Sequence, residues 1–533
     1  MIKVNVNVPI GYTKADVVSA VCGLIPIKSD EIHDIVILRS SLDILHRCVK
    51  GYSLTVGICV SGEREAGLLK MRKVVSAVPD YKFELPTVAF SVRPVVVGAG
   101  PCGLFAALLL AEAGANPIVI ERGECVEDRS ASVNRFRNFG ILNPESNVQF
   151  GEGGAGAYSD GKLKVGTMDK YKMKVLSSFV DAGGPDEIMH SKTAHLGTDK
   201  LPFIVSHIRE KIKSLGGDFM FNTKLIGFEF KDGCVKGIRC ESGGSAIFID
   251  THEVILAVGH SARDTVRMFH SMGLPIIARG FGIGARIEHP REYINELVYG
   301  KKYDSRLETA SYHLVTHLKN GRSAYSFCMC PGGTVVAATS EEGAVVTNGM
   351  SEYNRDGKNS NAAFLISVTP EDFGSDDPLA GIRYQEKIEK AAYIAAGSSY
   401  KAPSVKMGDF MESKVSKSFG AVTPTYPIGT EFVSVCEYMP SFVDESLRAA
   451  INDFDLWMPG FNYPDAVITG AETRTTSPIR ILRTESYEAE GFSGIYPAGE
   501  GAGYAGGIVS SAVDGLRCAE SIILRYAVRG GIV

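Results

Sequence analysis

Three closely spaced glycines form the first stretch of this chain whose spacing suggests chemistry. In PVVVGAGPCGLFAALLLAEAG, Gly98, Gly100 and Gly103 fit the pattern G-x-G-x-x-G after a β-branched run and before an apolar helical pattern. In that context the first glycine makes a tight turn, the second admits a pyrophosphate, and the third lets the helix pack on the strand. The helix N-terminus adds amide donors and a positive dipole end. The stretch therefore predicts a dinucleotide site that also includes Pro101 and Cys102.

An acidic residue follows at the end of the next β-branched run. We expect the carboxylate of Glu121 to accept hydrogen bonds from the ribose hydroxyls of an adenosine. A carboxylate repels a 2′-phosphate, so Glu121 disfavours NADP, and the neighbouring Arg122 weakens that preference only in part. These two residues leave the choice between NAD and FAD open.

A second acidic site among glycines, near the end of the chain, favours FAD. In YPAGEGAGYAGGI, Glu500 lies among glycines that include Gly499, Gly506 and Gly507, between a strand pattern and a helix that begins near Ile508. If this stretch returns to the same sheet, Glu500 can bond the ribityl hydroxyls of a flavin while the helix dipole points at the N1–O2 edge. A dehydrogenase that uses NAD has no need of this second site.

A third strand end supports the same interpretation. The strand pattern EVILAVG ends in Ala257 and Gly259, small residues that let backbone approach a cofactor. Because the three stretches follow one another in the right order, we expect them to meet at one cofactor. Leu225, in the short strand pattern NTKLIGFEF, is a further expected cofactor contact.

Polar residues in the middle of the chain are candidates for a substrate pocket above the flavin ring. In GARIEHP, a strand pattern places Arg286 and Glu288 on one face. They form either an ion pair or part of a substrate site in which His289 is the proton donor. Arg474, in ETRTTSP, is either a structural residue or a clamp for an anionic substrate.

Two cysteines separated by one residue are a further candidate. Cys328 and Cys330 point the same way on a strand, but a C-x-C disulfide is strained and a zinc site needs two such pairs. The sequence has no second pair, so no metal site is predicted. Cys328 and Cys330 are either redox-active beside the flavin or serve packing and turn formation.

Composition narrows the classes of function. A chain of 533 residues predicts two to four domains. A formal charge of −5 and a pI near 6.2 give no electrostatic footprint for nucleic acid or membrane, so neither is an expected partner. Eleven scattered cysteines, and an N-terminus without a signal-peptide pattern, predict a cytoplasmic protein. The oligomeric state stays open.

The elements that must position these residues divide the chain into four parts. Residues 1–90 show strand and helix patterns in the order of a ferredoxin-like α+β module. Residues 91–270 form the first part of a dinucleotide-binding α/β domain that begins with a βαβ unit, and residues 466–533 return to it. Residues 271–465 have no nucleotide signature and are predicted to be an inserted substrate or cap domain.

These motifs resemble the FAD-binding, Rossmann-like fold of the glutathione-reductase and hydroxybenzoate-hydroxylase type. More closely, the chain resembles the uncharacterised FAD-dependent dehydrogenases of bacteria, which carry a single dinucleotide-binding fold. The matching stretches are FGEGGAGAYSDGKL, HLGTDKL, LAVGHSARDT, GARIEHP, CMCPGG, NGMSEYNRDGKNSN, ETRTTSPIRILR and YPAGEGAGYAGGIVSSAVDG. The N-terminal module, with RSSLD where that family tends to have a longer basic motif, matches less well.

The resemblance implies cofactor contacts beyond those three stretches. Arg129 lies where such folds often have an arginine for the pyrophosphate. Gly153 and Gly154 would admit the flavin ring, and Ser159 or Lys162 would reach N5 or O4, unless this stretch is only a structural turn.

The implied function is that of an FAD-dependent oxidoreductase, a dehydrogenase or reductase that transfers hydride through flavin N5. The resemblance implies no substrate. A second strand-glycine-helix unit for NAD(P)H is absent from the sequence pattern, so the hydride source is either a nicotinamide that binds transiently or another donor. The alternatives are a hydroxylase-type flavoprotein, an FAD-dependent RNA-modifying protein, against which the acidic balance argues, and an NAD-binding regulatory or structural protein.

Overall fold

The computed structural model describes residues 1–45, 47–71, 74–79 and 81–530. Its N-terminal module consists of β1 (Ile2–Val8), α1 (Lys14–Leu24), β2 (Asp34–Leu45), β3 (Cys48–Cys59), α2 (Gly62–Leu68) and β4 (Val75–Ala77). The strands form an antiparallel sheet in the order β2-β3-β1-β4. This is the connectivity of the predicted ferredoxin-like split βαβ fold.

A core of its own holds this module together. Every second residue of β1 is buried, and on α1 the buried residues are Val17 and Val21. Thr13 begins α1 with a capping box, in which its hydroxyl accepts from the Asp16 amide and the Asp16 carboxylate accepts from the Thr13 amide. Alternation on the strand and helical spacing on α1 thus bring two apolar faces together.

The rest of the chain begins with the elements β5 (Val95–Val97), α3 (Pro101–Glu112), β6 (Ile118–Ile120), α4 (Val126–Phe139), α5 (Lys170–Asp181), α6 (Leu201–Ser214), β7 (Asp218–Met220), β8 (Thr223–Lys231), β9 (Cys234–Ser242), β10 (Ser245–Asp250), β11 (Val254–Leu256), α7 (Arg263–Ser271) and β12 (Ile276–Ala278). It continues with β13 (Phe281–Pro290), α8 (Arg291–Tyr299), β14 (Val315–His317), β15 (Ser323–Cys330), β16 (Thr334–Ala337), β17 (Thr347–Met350), β18 (Asn359–Val368), α9 (Ala380–Ala395), β19 (Ala402–Lys406), α10 (Met407–Met411), β20 (Thr430–Phe432), α11 (Ser441–Trp457) and β21 (Val467–Glu472). The last elements are β22 (Ile479–Ile481), β23 (Ile495–Pro497) and α12 (Ile508–Gly530).

Five parallel strands form the central sheet, in the order β23-β11-β5-β6-β7. Helix α3 follows β5 and is buried from Cys102 to Ala111, because α12 and α6 pack against it as well. A helix that is apolar all round belongs in an interior of this kind. Since β23 comes from the end of the chain, two distant parts of the chain contribute strands to this one sheet. The predicted α/β fold class is confirmed.

A seven-stranded, mostly antiparallel sheet organises the inserted region, in the order β14-β15-β18-β13-β21-β19-β20. Strand β13 is central and almost wholly buried. Strand β21 pairs with β13 and β19, so this sheet continues to Glu472, beyond the boundary predicted at residue 465. At the other predicted boundary, near residue 271, β12 pairs with β22 and belongs to the core of the five-stranded domain. Among the described residues, no helix combines the length and apolar character that crossing a membrane requires.

Candidate cofactor-binding site

Three strand ends meet at one edge of the five-stranded sheet. Strands β5, β11 and β23 lie side by side and parallel. The loops that follow them hold residues 98–100, 257–262 and 498–507. In open α/β sheets, ligands bind at the carboxyl ends of the strands. The three stretches that the sequence singled out therefore lie together, as expected.

The glycines of the first loop have two different tasks. An ideal Cβ on Gly103 would lie 1.8 Å from the carbonyl oxygen of Gly98, and one on Gly98 would lie 2.3 Å from that of Ala257. These two glycines let backbone segments pack together. A Cβ on Gly100 would meet only the Cα of Gly154, at 3.7 Å, so it leaves open room before the N-terminus of α3. This division agrees with the G-x-G-x-x-G pattern.

Glu121, at the end of β6, ties the loops around this room together. One carboxylate oxygen accepts from the Ala99 amide at 2.8 Å, and the other accepts from the amides of Gly123 and Gly151 at 3.0 Å each. The residue is 6% exposed and borders the cavity described below. A carboxylate has about four acceptor positions, so one remains for a ligand hydroxyl.

Arg122 belongs to a charge cluster at the same end. Its guanidinium donates to Glu145 at 2.7 Å and to both carboxylate oxygens of Asp264 at 2.9 and 3.1 Å, and Lys224 lies 2.6 Å from Asp264. Burial works to raise the pKa of Asp264, but the hydrogen bonds and charges of Arg122 and Lys224 outweigh it and hold that pKa well below its usual range. The cluster fixes Arg122 at the edge of the cavity.

Glu500 and His260 form a pair between the loops after β23 and β11. The Nδ1 atom of His260 lies 3.1 Å from a Glu500 carboxylate oxygen, and the histidine side chain is 10% exposed. Its other nitrogen, Nε2, is buried and has no hydrogen-bond partner among the described residues. Because His260 also lines the cavity described below, this nitrogen is available to a ligand there. The sequence analysis missed His260, although it directly follows the Ala-Val-Gly strand end.

A cavity of about 510 Å³ lies where these loops meet, a size typical of cofactor sites. The predicted cofactor contacts that line it are Gly98, Gly100, Pro101, Cys102, Glu121, Arg122, Gly154, Ser159, Leu225, Ala257, Gly259, Glu500, Gly506, Gly507 and Ile508. Residues of the inserted region line it as well: Phe327, Cys328, Asn348 and Glu472. The cavity therefore joins the two domains.

Four predicted cofactor contacts lie outside this lining. Gly103 sits behind the loop, where it packs α3 on the sheet. Gly153 and Gly499 have left-handed φ values of +84° and +72°, which glycine adopts most easily, and they shape the loops. The Gly499 amide donates to the Asp514 carboxylate at 2.7 Å. The fourth residue is Arg129.

Arg129 is not placed to bind a pyrophosphate, contrary to the expectation. It is fully buried, and its guanidinium donates to the carbonyl oxygens of Asn147 at 2.9 Å, Val148 at 3.0 Å, Gly151 at 3.2 Å and Glu152 at 2.6 Å. Its donors are thus used by the loop before the cavity. Arg129 positions that loop, because five fixed donors in one plane can gather several carbonyl groups.

The predicted candidate Arg286 is buried beside the cavity and paired with a residue that the sequence analysis did not consider. Its guanidinium donates to both carboxylate oxygens of Glu472, at 2.6 and 2.9 Å, and to the side-chain oxygens of Asn348 and Asn361, each at 2.9 Å. The expected pairing with Glu288 is wrong because β21, which pairs with β13, supplies a nearer carboxylate. Arg286 therefore orients the wall residues Glu472 and Asn348.

His289 is not placed to be a proton donor to a substrate. Its ring is fully buried away from the cavity lining, and Nε2 lies 2.9 Å from the carbonyl oxygen of Phe461. Burial lowers its pKa to about 4, so the neutral ring is the stable form near neutral pH.

Arg474 does border the cavity, but its charge is already matched. It donates to both carboxylate oxygens of Glu389, at 3.1 and 2.8 Å, and Arg263 donates to the same carboxylate at 2.7 and 2.8 Å. Burial opposes the charge of Glu389, yet the two guanidinium groups hold its pKa well below normal. The predicted clamp for an anionic substrate is not available while this cluster is intact.

Lys162 and Ser159 have different environments. The Ser159 hydroxyl donates to the Gly156 carbonyl at 2.7 Å and accepts from the Gly161 amide at 3.0 Å, which makes a structural turn. Lys162 lines the cavity, its side chain is 24% exposed, and its ammonium lies 4.0 Å from Asp160. Lys162 thus keeps donors that can reach a ligand.

Of the two cysteines, the structure places the unexpected one in the wall. Cys328 lines the cavity, while Cys330 is fully buried behind it. The strand pattern did not reveal this, because the two residues lie at an irregularity in the pairing of β15 with β18. Within the described ranges, three His, Cys, Asp or Glu side chains never come close enough together to hold a metal ion.

These residues fit a flavin dinucleotide. The room before Gly100 suits a diphosphate at a helix N-terminus, and Glu500 and the unpartnered Nε2 of His260 supply polar groups farther along the same cavity. The N-terminus of α12, at Gly507 and Ile508, borders the cavity too.

Comparisons with known proteins agree with this fit. A family model described as an FAD-dependent protein, C-terminal domain-like, matches residues 280–475, and one described as an FAD binding domain matches residues 91–141. An uncharacterised protein of Clostridium beijerinckii is 48% identical over 436 residues, which cover 81% of this chain and 81% of that protein. The chain belongs to the family of FAD-dependent proteins. The first family model covers nearly the same residues as the seven-stranded sheet of this FAD-dependent protein.

Solved structures resemble this FAD-dependent protein only distantly. A geranylgeranyl bacteriochlorophyll reductase-like protein from Thermoplasma acidophilum has a TM-score of 0.37 and 12% identity, over 82% of this chain and 79% of its own. The flavin-dependent brominase Bmp2 has a TM-score of 0.40 and 10% identity, over 82% of this chain and 79% of its own. The Escherichia coli quinol fumarate reductase FrdA has a TM-score of 0.38 and 11% identity, over 83% of this chain and 71% of its own. Likeness at this level decides nothing about substrate or reaction.

Proposed function

We propose that this flavoprotein is an oxidoreductase, a dehydrogenase or reductase that transfers hydride through flavin N5. The observation that carries the proposal is the continuity of the cavity. It begins at the glycine loop after β5, passes the loop that contains Glu500 and ends at side chains of the seven-stranded sheet. A site that only stored a nucleotide would not need this last wall.

The residues of the sheet edge would hold FAD. Backbone at residues 98–101 faces the place for the diphosphate, and Glu121 has an acceptor position for a ribose hydroxyl. Glu500 and His260 would bond the ribityl chain, which would give the Nε2 atom its missing partner. Bound FAD supplies a two-electron carrier that exchanges hydride at N5.

The wall from the inserted region would bind the substrate. Phe327 and Cys328 offer apolar and polarisable surface, and Asn348 offers an amide. Lys162 can donate a hydrogen bond to a substrate oxygen, because among the described residues its ammonium has only a distant partner in Asp160. The Arg286–Glu472 pair holds this wall in place.

We also propose that a nicotinamide donor reduces the protein transiently. Two observations support transient binding. The sequence has one G-x-G-x-x-G stretch that opens a helix after a strand, and among the described residues one parallel sheet carries that stretch.

All eleven cysteines are unpaired, which supports a reducing cytoplasmic location.

Purification of the full chain tests the cofactor first. We expect flavin absorbance at about 450 nm and on the order of one FAD per chain. Anaerobic photoreduction, followed by a screen of oxidants, substrates, NADH and NADPH, then tests the reaction. A chain that binds FAD but exchanges electrons with none of these compounds would count against the oxidoreductase proposal.

A matched pair of variants tests the site. Glu500→Ala removes a carboxylate from the cavity, whereas Glu288→Ala removes one that is bonded to Thr425 and Asn359 outside it. Loss of a charged hydrogen bond, about 1.5–3 kcal/mol, should weaken FAD retention by Glu500→Ala about 10–100-fold. Equal retention of FAD by the folded fractions of both variants would refute the assignment of Glu500.

A further inference from the structure

The segment around Cys328 departs from a regular strand. The register of β15 with β18 shifts between Phe327 and Cys330, and Cys328 has a left-handed φ of +41°. A residue other than glycine rarely adopts this conformation, and such residues cluster at functional sites. On a regular strand the Cα atoms of Cys328 and Cys330 would be about 6.6–6.8 Å apart, at the upper limit for a disulfide. The strain argument against a C-x-C disulfide assumed that regular geometry, which this segment lacks.

The contacts hold the Cys330 thiol against the backbone of Cys328. The Cys330 Sγ donates to the carbonyl oxygen of Cys328 at 3.2 Å. Arg286 donates to the same carbonyl oxygen at 2.9 Å and lies 3.9 Å from the Cys330 Sγ. The side chain of Cys330 therefore points back along the strand.

The two cysteines differ in access. Cys328 borders the cavity and is partly exposed, whereas Cys330 is fully buried. A reagent in the cavity can reach only the first sulfur. The second sulfur is held beside the Cys328 backbone, next to the first residue, which suits an attacking thiol and a resolving thiol.

Charged groups around the pair favour a thiolate at Cys328. The neighbouring Cys330 thiol lowers the pKa of Cys328 most, burial raises it, and the positive charges of Arg286 and Lys162 lower it further, against Asp160, so that it lies below its usual value. Glu472, from β21, also faces the sulfur, but its charge is paired with Arg286. The three groups that lower this pKa come from three different segments of the chain.

Another thiol in the same cavity lacks this environment. Cys102, in the glycine loop, is buried, and burial together with the charge of Asp514 raises its pKa well above the usual value. It should stay protonated and unreactive. The chain thus contains its own comparison for Cys328.

We propose that Cys328 and Cys330 form a redox-active pair that interconverts between a dithiol and an intramolecular disulfide at the cavity wall. With a small-molecule disulfide as oxidant, the Cys328 thiolate attacks one of its sulfurs and releases one thiolate. The Cys330 sulfur then attacks Cys328, releases the second thiolate and gives up its proton to it. Both cysteines lose one electron each, and the reagent is reduced to two thiols. The pair does not depend on the proposed FAD chemistry.

Dithiodipyridine, a small disulfide whose released thione absorbs, tests this on the full chain as purified with its flavin. At pH 6 we expect the pair to react about tenfold faster than an ordinary thiol, because the larger thiolate fraction outweighs the lower nucleophilicity. The peptide with both cysteines should then be two hydrogens lighter and resist alkylation, while Cys102 stays alkylatable after unfolding. Reduction with dithiothreitol should restore the dithiol.

Variants separate the two roles. Cys330→Ser and Cys330→Ala should both keep the pyridyl group on Cys328, and Cys328→Ser should lose the fast phase. Cys436→Ser, at an exposed position outside the cavity, should keep the fast phase and lose only the thione that the ordinary Cys436 thiol releases. A stable pyridyl group on Cys328 of the unchanged chain, or no reaction at either cysteine, would overturn the proposal. FAD content, read from the flavin spectrum, is a separate result.

Discussion

The two ends of the cavity are built differently. At the sheet end, backbone of three loops forms the wall, and the register of β5, β11 and β23 fixes its shape. At the other end, side chains from β15, β17 and β21 form the wall, and buried ion pairs hold them. The first kind of wall depends on glycine spacing within short stretches. The second depends on which strands become neighbours.

The largest expected effect concerns the buried charges behind the side-chain wall. Glu389→Gln leaves Arg263 and Arg474 with only the partly exposed Glu341 as a charged partner among the described residues, so we expect a loss of about 3–5 kcal/mol in unfolding free energy. Urea unfolding measures it. Glu386→Gln, on the same helix, is the control, since Glu386 forms a partly exposed pair with Arg267 and should cost at most about 1 kcal/mol. Similar losses for both variants would show that the buried cluster does not hold this wall.

Acid should weaken the inserted region through His289. Its pKa of about 4 in the folded protein lies below the unfolded value of 6.5, so the folded state binds fewer protons between these values. The resulting stability, about 3 kcal/mol, is present above pH 6.5 and lost as the pH falls through 4. His289→Gln keeps an amide donor for Phe461 and should flatten the dependence of unfolding free energy on pH in this range. An unchanged slope would mean that His289 is not buried as a neutral ring.

The backbone wall should be sensitive to a single methyl group. Gly103→Ala puts a Cβ against the Gly98 carbonyl, so we expect a loss of about 1–3 kcal/mol and weaker FAD retention. Gly23→Ala, in α1, is the matched control, because a Cβ there meets nothing within 4 Å. It should be neutral or stabilising by up to about 1 kcal/mol. Thermal unfolding and flavin content of the two variants give the answer, and a Gly103→Ala protein with unchanged values would contradict the packing argument.

The smallest effect is expected at Ser159. Ser159→Ala removes the bonds to Gly156 and Gly161 and should cost about 1 kcal/mol. FAD content and turnover should stay the same, because the hydroxyl is used within the turn. A clear fall in turnover without a change in stability would instead place Ser159 at the flavin, as the resemblance implied.

The comparison also explains what could be predicted. Gly98, Gly100 and Gly103 and the Glu500 stretch were found because a loop that binds a phosphate or a ring needs small residues at fixed spacing. For Arg286 and Arg474 the sequence left a structural role and a substrate-binding role open. It did not identify their partners, Glu472 and Glu389. No local pattern reports a contact between strands and helices that lie far apart in the chain.

By itself, the sequence determined the α/β fold class, the ferredoxin-like order of the first module and the three stretches that meet at the sheet edge. Periodicity and glycine spacing are local properties, so they survive without knowledge of the partners. Only the tertiary structure decided that Arg129 gathers a loop, that His289 is buried, that His260 faces the cavity and that Cys328 rather than Cys330 lines it. These facts depend on burial and on charges brought close by distant segments, and both arise only when the sheets assemble.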